Sequence, residues 1–277
     1  MSEELTIKLL LDTKTLALRD VICRGDCRHK SAEECSRSTY LVFPYRGAFV
    51  RHLGRDDVFG EANQVMFFNQ DESYRISHPV KGGDACLSIS IDEALLRELA
   101  LKEQVRVGDK LAFDPHRLRI DARAQALVAL LRHGLDNGVI ETLEAEVLTL
   151  TLIKRALGER TSHAVRASAG RQKLVDRAKL TLTSDPGRRW TSADIATEVG
   201  VSPVYLTQVF QQVEGMPLYR YQLRLRLARA LDLLPQCDDL MTLGMELGFS
   251  SHSHFSSAFR QAYGRTPKEF QQLVQRR

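Results

Sequence analysis

The sequence predicts an α+β protein in which an N-terminal β-rich domain, a helical hairpin and a C-terminal all-α domain follow one another. Three observations carry this prediction. Short apolar segments separated by turn residues fill the first third of the 277 residues, two longer stretches with helical periodicity follow, and one helix-turn-helix pattern occurs twice in the last third. With 43% apolar and 27% charged residues, the composition is that of a globular protein with room for two domains.

The β-rich region extends from Val21 to Ile91. Its candidate strands are short, are bounded by Gly, Asp, Asn and Pro, and are spaced as in a barrel or a sandwich. They are Thr39–Phe43, Gly47–His52, Gln64–Phe68, Tyr74–His78 and Ala85–Ile91. In residues 1–20, apolar and polar residues alternate weakly, which predicts one further strand. Residues 106–119 are expected to be irregular.

Helical periodicity begins after the last candidate strand. Asp92 is placed to cap a helix over Ile91–Leu101, and a D-N-G turn separates two longer patterns, Ala122–Leu135 and Ile140–Leu157. Each long pattern has an apolar stripe, so the pair is expected to form a helical hairpin that packs on the β-rich domain or faces a second subunit. Residues 159–170 are polar without apolar periodicity, which predicts a linker.

The segment Leu243–Pro267 predicts a helix, a turn and a second helix. Gly248 suits the positive φ that ends a helix, and Ser250 or Ser251 can cap the next one. The phenylalanines of the second helix point inward, and its outward face is short and polar. That outward face consists of His252, Ser253, Ser256, Ser257 and Arg260. Such a helix can enter a DNA major groove; an ordinary amphipathic helix pair is the alternative.

An earlier segment, Ile195–Pro217, repeats this pattern. When Gly200 is aligned with Gly248, the apolar Leu206 and Phe210 align with Phe255 and Phe259. Each segment also ends with a glycine followed by a proline. Two copies form a pair and not a solenoid, which needs three or more repeats. The residues of the first copy predicted to contact DNA are Ser202, Val204, Tyr205, Thr207 and Gln208, with Ser251 added for the second copy.

The segment from about Gln172 to Gln272 resembles the DNA-binding domain of the AraC/XylS family of transcription regulators. The resemblance rests on G-F-S-S-x-S-H-F-x-x-x-F-R-x-x-Y-G-x-T-P at Gly248–Pro267, and on R-L-R-L-A-R-A-L-D-L-L at Arg224–Leu234, which matches the helix that joins the two units in that family. We therefore expect a sensor or dimerisation domain at residues 1–158, a linker at 159–170 and an AraC-type DNA-binding domain at 171–277.

The same resemblance implies properties of the N-terminal domain. In this family that region is a cupin-like β-barrel that senses a small molecule or oligomerises. The resemblance thus implies a cupin-like barrel, a homodimer, a small-molecule effector, and activation through contact with the sigma or alpha subunit of RNA polymerase. Repression stays open, as does a barrel that serves only as a dimerisation scaffold. Where metal-binding cupins place a histidine, this chain has Tyr74, which disfavours a cupin metal enzyme.

Bases and phosphates are expected to be contacted by different residues. Gln208 can pair with adenine through two hydrogen bonds, and Val204 can meet a thymine methyl group. Many family members carry arginine near positions 208 and 257, where this chain has Gln and Ser. The second recognition helix is therefore expected to read bases weakly and to position the protein mainly through contacts with the DNA backbone. Arg224 and Arg226 are expected to contact phosphate or remain solvated. Their helix, about 25 Å long, would hold the two readers on major grooves about 34 Å apart.

Positive charge is concentrated on the half with the repeated pattern. From Arg166 onward the chain has 16 Lys and Arg against 10 Asp and Glu, whereas residues 1–165 have 23 against 25. This asymmetry is the expected electrostatic footprint of phosphate binding, and double-stranded DNA is the predicted partner. No apolar run is long enough for a bilayer and the start lacks a signal-peptide pattern, so a cytoplasmic location without a membrane partner is expected.

The five cysteines are the other candidates for chemistry. An odd number in a cytosolic protein argues against a disulfide framework. The candidate thiol or metal sensor residues are Cys23, Cys27, Cys35 and Cys86. Basic neighbours of the first three would make those thiols more reactive, and with His29 or His78 they would form a zinc-like site if the fold brings them together. The spacing matches no strong metal motif, and thiols without a role are the simpler alternative.

No enzyme signature accompanies these residues. The chain has no nucleophile elbow, phosphate loop or H-E-x-x-H motif, and Gly82–Asp84 is expected to be a turn between strands. His252 and His254 diverge by about 200° on a helix and cannot share an ion. The sequence identifies no cofactor. We therefore expect a sequence-specific transcription regulator that acts as an activator, and we do not expect an enzyme. Redox or metal sensing is the alternative form of control.

Overall fold

The computed structural model describes residues 5–25, 28–108, 110–158 and 167–275. It divides into an N-terminal domain, residues 1–162 together with 272–277, and a C-terminal domain, residues 163–271. Most of the predicted linker lies outside the described residues; at its end, Ser168 caps a helix that begins at Ala169. None of the described helices combines the length and the hydropathy needed to cross a membrane.

The described strands of the N-terminal domain form three antiparallel sheets. In chain order the strands are β1 (Leu5–Asp12), β2 (Leu16–Cys23), β3 (Glu34–Cys35), β4 (Tyr40–Arg46), β5 (Ala48–Leu53), β6 (Asp56–Glu61), β7 (Gln64–Phe68), β8 (Ser73–Ser77), β9 (Asp84–Ile91), β10 (Val105–Val107), β11 (Leu111–Phe113) and β12 (Arg117–Arg119). The largest sheet has the order β1-β2-β9-β4-β7-β12, the next has the order β3-β8-β5-β6, and β10 pairs with β11.

Strands β4 and β7 of the six-stranded sheet are buried on both faces. On β4, Leu41 and Phe43 belong to the core that this sheet shares with helices, while Val42 belongs to the core that it shares with the four-stranded sheet. Because successive side chains of a strand point to opposite faces, such a strand has a continuous apolar sequence. The α+β class is confirmed. The predicted closed barrel is not found among the described strands, which form separate sheets.

Several strands escaped the sequence prediction. The first twenty residues contribute two strands instead of one, and the stretch expected to be irregular contains β10, β11 and β12. Strand β6 begins with Asp56 and Asp57, contains Gly60 and has Val58 as its single β-branched residue, so it lacks both the alternation and the β-branched enrichment that mark a strand. It is held by pairing along its whole length with β5, a tertiary effect that local composition does not show.

Three helices pack on the six-stranded sheet. They are α1 (Glu93–Leu99), α2 (Ala122–Asp136) and α3 (Thr142–Leu157), and their buried side chains join its core. Asp92 caps α1 as predicted, since its carboxylate accepts hydrogen bonds from the backbone N–H groups of Ala94 and Leu95. On α3, Leu143 and Val147 remain 72% and 56% exposed, so part of its apolar stripe is uncovered in the single chain.

The C-terminal domain consists of helices. They are α4 (Ala169–Ser184), α5 (Ser192–Val199), α6 (Pro203–Glu214), α7 (Leu218–Leu233), α8 (Leu240–Glu246), α9 (His252–Tyr263) and the first part of α10 (Pro267–Val274), with a short 3-10 helix over Leu234–Gln236. Thr191 caps α5 in a capping box with Asp194, although the neighbouring Ser192 is also a residue type that caps helices. Both residue types suit this position, and the threonine is selected because its backbone N–H donates a hydrogen bond to the Asp194 carboxylate.

Each helix-turn-helix unit has its own aromatic core. In the first unit the rings of Phe210 and Tyr221 meet edge to face, and the fully buried Lys179 pairs with Glu214 at 2.5 Å. In the second unit Phe255 and Phe259 are completely buried, and their rings meet each other and neighbouring aromatic rings at tilted or edge-to-face angles. The two cores fix the inward faces of α6 and α9, and therefore also determine which residues face outward.

Candidate nucleic-acid interface

Helix α6 presents the residues predicted for the first unit. The Ser202 hydroxyl accepts a hydrogen bond from the backbone N–H of Tyr205, and Pro203 occupies the first turn, where it removes no intrahelical bond. Leu206 is completely buried on the opposite side. The exposed face comprises Ser202, Val204, Tyr205, Thr207 and Gln208. Val204 is 67% exposed, which leaves its methyl groups available to an apolar partner.

Helix α9 repeats this arrangement. The Ser251 hydroxyl accepts a hydrogen bond from the backbone N–H of His254, which decides between the two predicted caps. The outward residues His252, Ser253, Ser257 and Arg260 are exposed, and Ser256 is half-buried. The two histidines make different contacts: His252 lies 3.4 Å from the Ser256 hydroxyl, whereas His254 lies 3.1 Å from that of Ser250.

The turns before the two outward helices have the same backbone geometry. Gly200 follows α5 with φ +74°, and Gly248 follows α8 with φ +79°. Both values lie in the left-handed region that favours glycine. The equivalence that the sequence alignment predicted for these two glycines therefore extends to their conformation, and each turn feeds a serine-capped helix.

The helix that joins the units also holds them together through Arg226. Its guanidinium donates hydrogen bonds to the carbonyl oxygens of Pro186 at 3.1 Å, Arg188 at 2.8 Å and Gly248 at 3.2 Å. Burial lowers the pKa of Arg226, and the nearby charge of Arg189 adds to this effect. Three of the five N–H donors of Arg226 are therefore used within the domain, and its expected contact with phosphate stays a prediction.

Around Arg226, a loop of the first unit touches the turn of the second. Arg189 donates to the carbonyl oxygens of Gly248 at 3.1 Å and of Phe249 at 3.0 Å. A Cβ atom on Gly187 would lie 2.3 Å from the carbonyl oxygen of Glu246, and one on Gly248 would lie 2.3 Å from that of Gly187. We call Gly187, Arg189, Arg226 and Gly248 the inter-unit clamp. The sequence did not reveal it, because helical arginines and turn glycines are common for other reasons.

Arg224, the other predicted contact on α7, is half-buried. It lies close enough to Tyr263 for its charge to counteract, in part, the raising of that hydroxyl's pKa by burial. A half-buried guanidinium keeps some capacity for a phosphate contact at its exposed edge. Its role at DNA stays a prediction, as do the roles of the exposed residues on α6 and α9.

Among the described residues, Cys23 is the one candidate sensor cysteine that joins a cluster of possible metal ligands. Cys23 is buried at the end of β2, near His78 and Asp84, and one ligand atom from each of these residues lies within 4.8 Å of the others. Cys35 is exposed on β3, Cys86 is buried in the core between the sheets, and Cys27 lies outside the described residues. The sequence pattern predicted only a turn at Asp84 and gave no sign that this residue lies beside a cysteine and a histidine.

The buried position of Cys86 bears on redox sensing. Burial raises the pKa of its thiol well above the ordinary value, and the carboxylates of Asp84 and Asp20 raise it further. Since the thiolate is the reactive form of cysteine, Cys86 has the opposite environment from the one that activates a thiol. This environment disfavours Cys86 as the residue that would respond to an oxidant.

Comparison with known proteins identifies the helical part of the chain. Residues 195–273 match a family model described as a helix-turn-helix domain. The transcriptional regulator ArgR of Pseudomonas aeruginosa is 41% identical over 80 residues, which cover 28% of this chain and 24% of that protein. The regulatory protein PocR of Salmonella typhimurium is 33% identical over 82 residues, which cover 29% and 27%. Both of these matches therefore span about a quarter of the relative's length.

A longer match extends into the N-terminal domain. The transcriptional regulator GadX of Escherichia coli is 24% identical over 240 residues, which cover 86% of this chain and 84% of that protein. The matched domain is a helix-turn-helix domain, and ArgR and GadX are named as transcription regulators, the class of protein that the sequence predicts.

Proposed function

We propose that this chain is a transcription regulator with an AraC-type helix-turn-helix DNA-binding domain, and that it binds one operator through both of its units. Helix α6 enters one major groove and helix α9 enters the next one on the same side of the duplex. Residues of α6 read bases, with Gln208 directed at adenine and Val204 at a thymine methyl group. Residues of α9 contribute more to positioning on the backbone, because Ser257 stands where many relatives carry arginine.

The observation that carries this proposal is the paired exposure of α6 and α9 on one braced scaffold. Each helix buries aromatic or aliphatic residues on one side, exposes its opposite face to solvent, and begins at a serine cap. The inter-unit clamp and α7 connect them. Two readers held at a fixed separation act at high effective concentration, so two weak contacts give one tighter attachment.

The N-terminal domain is proposed to control DNA binding and to form a homodimer. The support for a homodimer is the exposed apolar face of α3 around Leu143 and Val147. The two stacked sheets are compatible with a cupin-like domain that takes a small-molecule effector. By family resemblance, we propose an activator that contacts the sigma or alpha subunit of RNA polymerase. A regulator of chromosomal genes acts in the cytoplasm, and we propose that location.

The proposal is tested by selecting bound fragments from genomic DNA with the full-length protein. We expect the recovered fragments to share two short elements about one helical turn apart, and binding to weaken linearly with the logarithm of salt concentration. Sequencing identifies the elements, and fluorescence anisotropy at several salt concentrations gives the slope. Recovery of fragments without a shared element, or binding that is insensitive to salt, would contradict it.

A further inference from the structure

The end of β2 and the start of β9 bring a thiol and a carboxylate together. Cys23 and Asp84 are directly paired in the antiparallel register of these strands, so their side chains leave the sheet on the same face. His78 follows β8 and leads into the turn before β9, and its Nδ1 is hydrogen-bonded to the Asp84 carboxylate. Three different ligand types therefore converge from three separate points of the chain.

The turn that carries His78 and Asp84 is fixed against the end of β2. Gly83 has φ +73°, and a Cβ atom on it would lie 2.1 Å from the carbonyl oxygen of Cys23. Its backbone N–H donates a hydrogen bond to the carbonyl oxygen of Val80 at 3.1 Å. Because backbone meets backbone here, the three side chains are held near one another before any ligand arrives, which reduces the ordering that binding requires.

The chemistry of the cluster favours a transition-metal ion. A hydrogen bond between His78 and Asp84 does not by itself account for the thiol of Cys23 beside them. Together, a thiolate, an imidazole and a carboxylate suit zinc-class ions better than magnesium or calcium. Bonds of about 2.0–2.3 Å require only small movements from atoms that already lie within 4.8 Å of one another. The His78 side chain is 19% exposed, which gives an ion access to an otherwise buried site.

We propose that Cys23, His78 and Asp84 bind one divalent ion of the zinc class, with the fourth tetrahedral position open to water or a small ligand. The ion ties the end of β2 to the start of β9. We further propose, on the basis of the proposed function, that binding of the ion to this site is the signal that changes the affinity of the regulator for its operator.

The site is tested by titrating chelator-treated, full-length protein with Co²⁺ and then with Zn²⁺. We expect one Co²⁺ per chain, with the charge-transfer absorption of a cobalt–thiolate bond and the visible bands of tetrahedral coordination, and we expect Zn²⁺ to abolish both. Absence of thiolate absorption in the wild-type protein would overturn the proposal without reference to any variant.

Variants assign the ligands. Cys23→Ser should remove the thiolate absorption, and His78→Gln should weaken Co²⁺ binding by at least about tenfold, since even outer-shell changes reach that size. Cys35→Ser is the matched control, because it removes an exposed thiol on β3 and should leave the spectrum unchanged. Circular dichroism checks that each variant is folded. Loss of the absorption in Cys35→Ser but not in Cys23→Ser would refute the assignment.

The regulatory statement has a separate readout. Operator affinity of the wild-type protein is measured with and without Zn²⁺, and we expect a difference of at least about fivefold, the lower range of allosteric coupling. Equal affinity would refute metal control while the cobalt spectrum still supports the site. Failure to bind any DNA would refute the proposed function, and the metal titration would be unaffected.

Discussion

At the scale of single residues, the outward faces of α6 and α9 contain two chemical types with different tasks. Gln208 offers both a donor and an acceptor, the pair that an adenine edge requires. Arg260, at the exposed end of α9, offers a full positive charge, which attracts phosphate regardless of sequence. The two residues should therefore affect different measurable quantities.

We predict that Gln208→Ala relaxes the preference at one base pair by about 1–3 kcal/mol and leaves the salt dependence almost unchanged. Binding is measured against a panel of operators with single substitutions. A uniform loss across the whole panel would contradict a reading role for Gln208.

We predict the opposite pattern for Arg260→Ala. Affinity should fall about equally for all operators, and the slope against salt should decrease by about one. Lys102→Ala is the control, because it removes an exposed charge from the N-terminal domain and should leave the slope as it was. A change of preference at one base pair in Arg260→Ala would assign this residue to base reading.

Arg226 permits a prediction about stability. Arg226→Lys keeps the charge but loses the planar fork that reaches three carbonyl oxygens, so the free energy of unfolding of the C-terminal domain should fall by about 1–3 kcal/mol. Trp190 is the only tryptophan of the chain, and its fluorescence in urea follows this domain. Arg220→Lys, at an exposed position of the same helix, should change the unfolding free energy little. Equal effects of the two substitutions would refute the clamp.

At the scale of elements, the glycines of the two turns form a natural matched pair. Both have positive φ, but a Cβ atom on Gly200 would meet nothing within 4 Å, whereas one on Gly248 would collide with the backbone of Gly187. Gly200→Ala should therefore lower the free energy of unfolding by about 1–2 kcal/mol, the cost of the left-handed conformation for a residue with a Cβ atom. Gly248→Ala should lower it distinctly more. Urea unfolding followed by Trp190 fluorescence compares them, and equal costs would show that the loop yields easily.

The elements also show what a sequence can predict. Helices α5 to α9 were identified because caps, positive-φ glycines and inward aromatic residues are local signals, and they recur in two copies. Strands β10 and β12 have three residues each, and β6 depends on its partner, so their formation is decided by pairing across the fold. The approach of Asp84 to Cys23 likewise follows from strand register, a long-range property that composition and spacing do not specify.

At the scale of the whole molecule, the uncovered part of α3 determines the assembly that we predict. Leu143→Glu should convert a dimer into a monomer, because it places a charge in an apolar interface, and sedimentation velocity measures the change. Met241→Glu is the control, since this methionine is 60% exposed on α8, outside the proposed surface. Dissociation by Ile7→Glu but not by Leu143→Glu would place the interface on β1, where Ile7 is 58% exposed.

The backbone contact between Gly187 and Gly248 has a consequence for promoters. A protein whose two readers cannot shift relative to each other demands a constant helical phase from its DNA. One inserted base pair between the two elements would advance the second by about 3.4 Å and rotate it by about 35°. Mutational drift at such promoters should thus tolerate base substitutions in the spacer while purging single-nucleotide insertions and deletions.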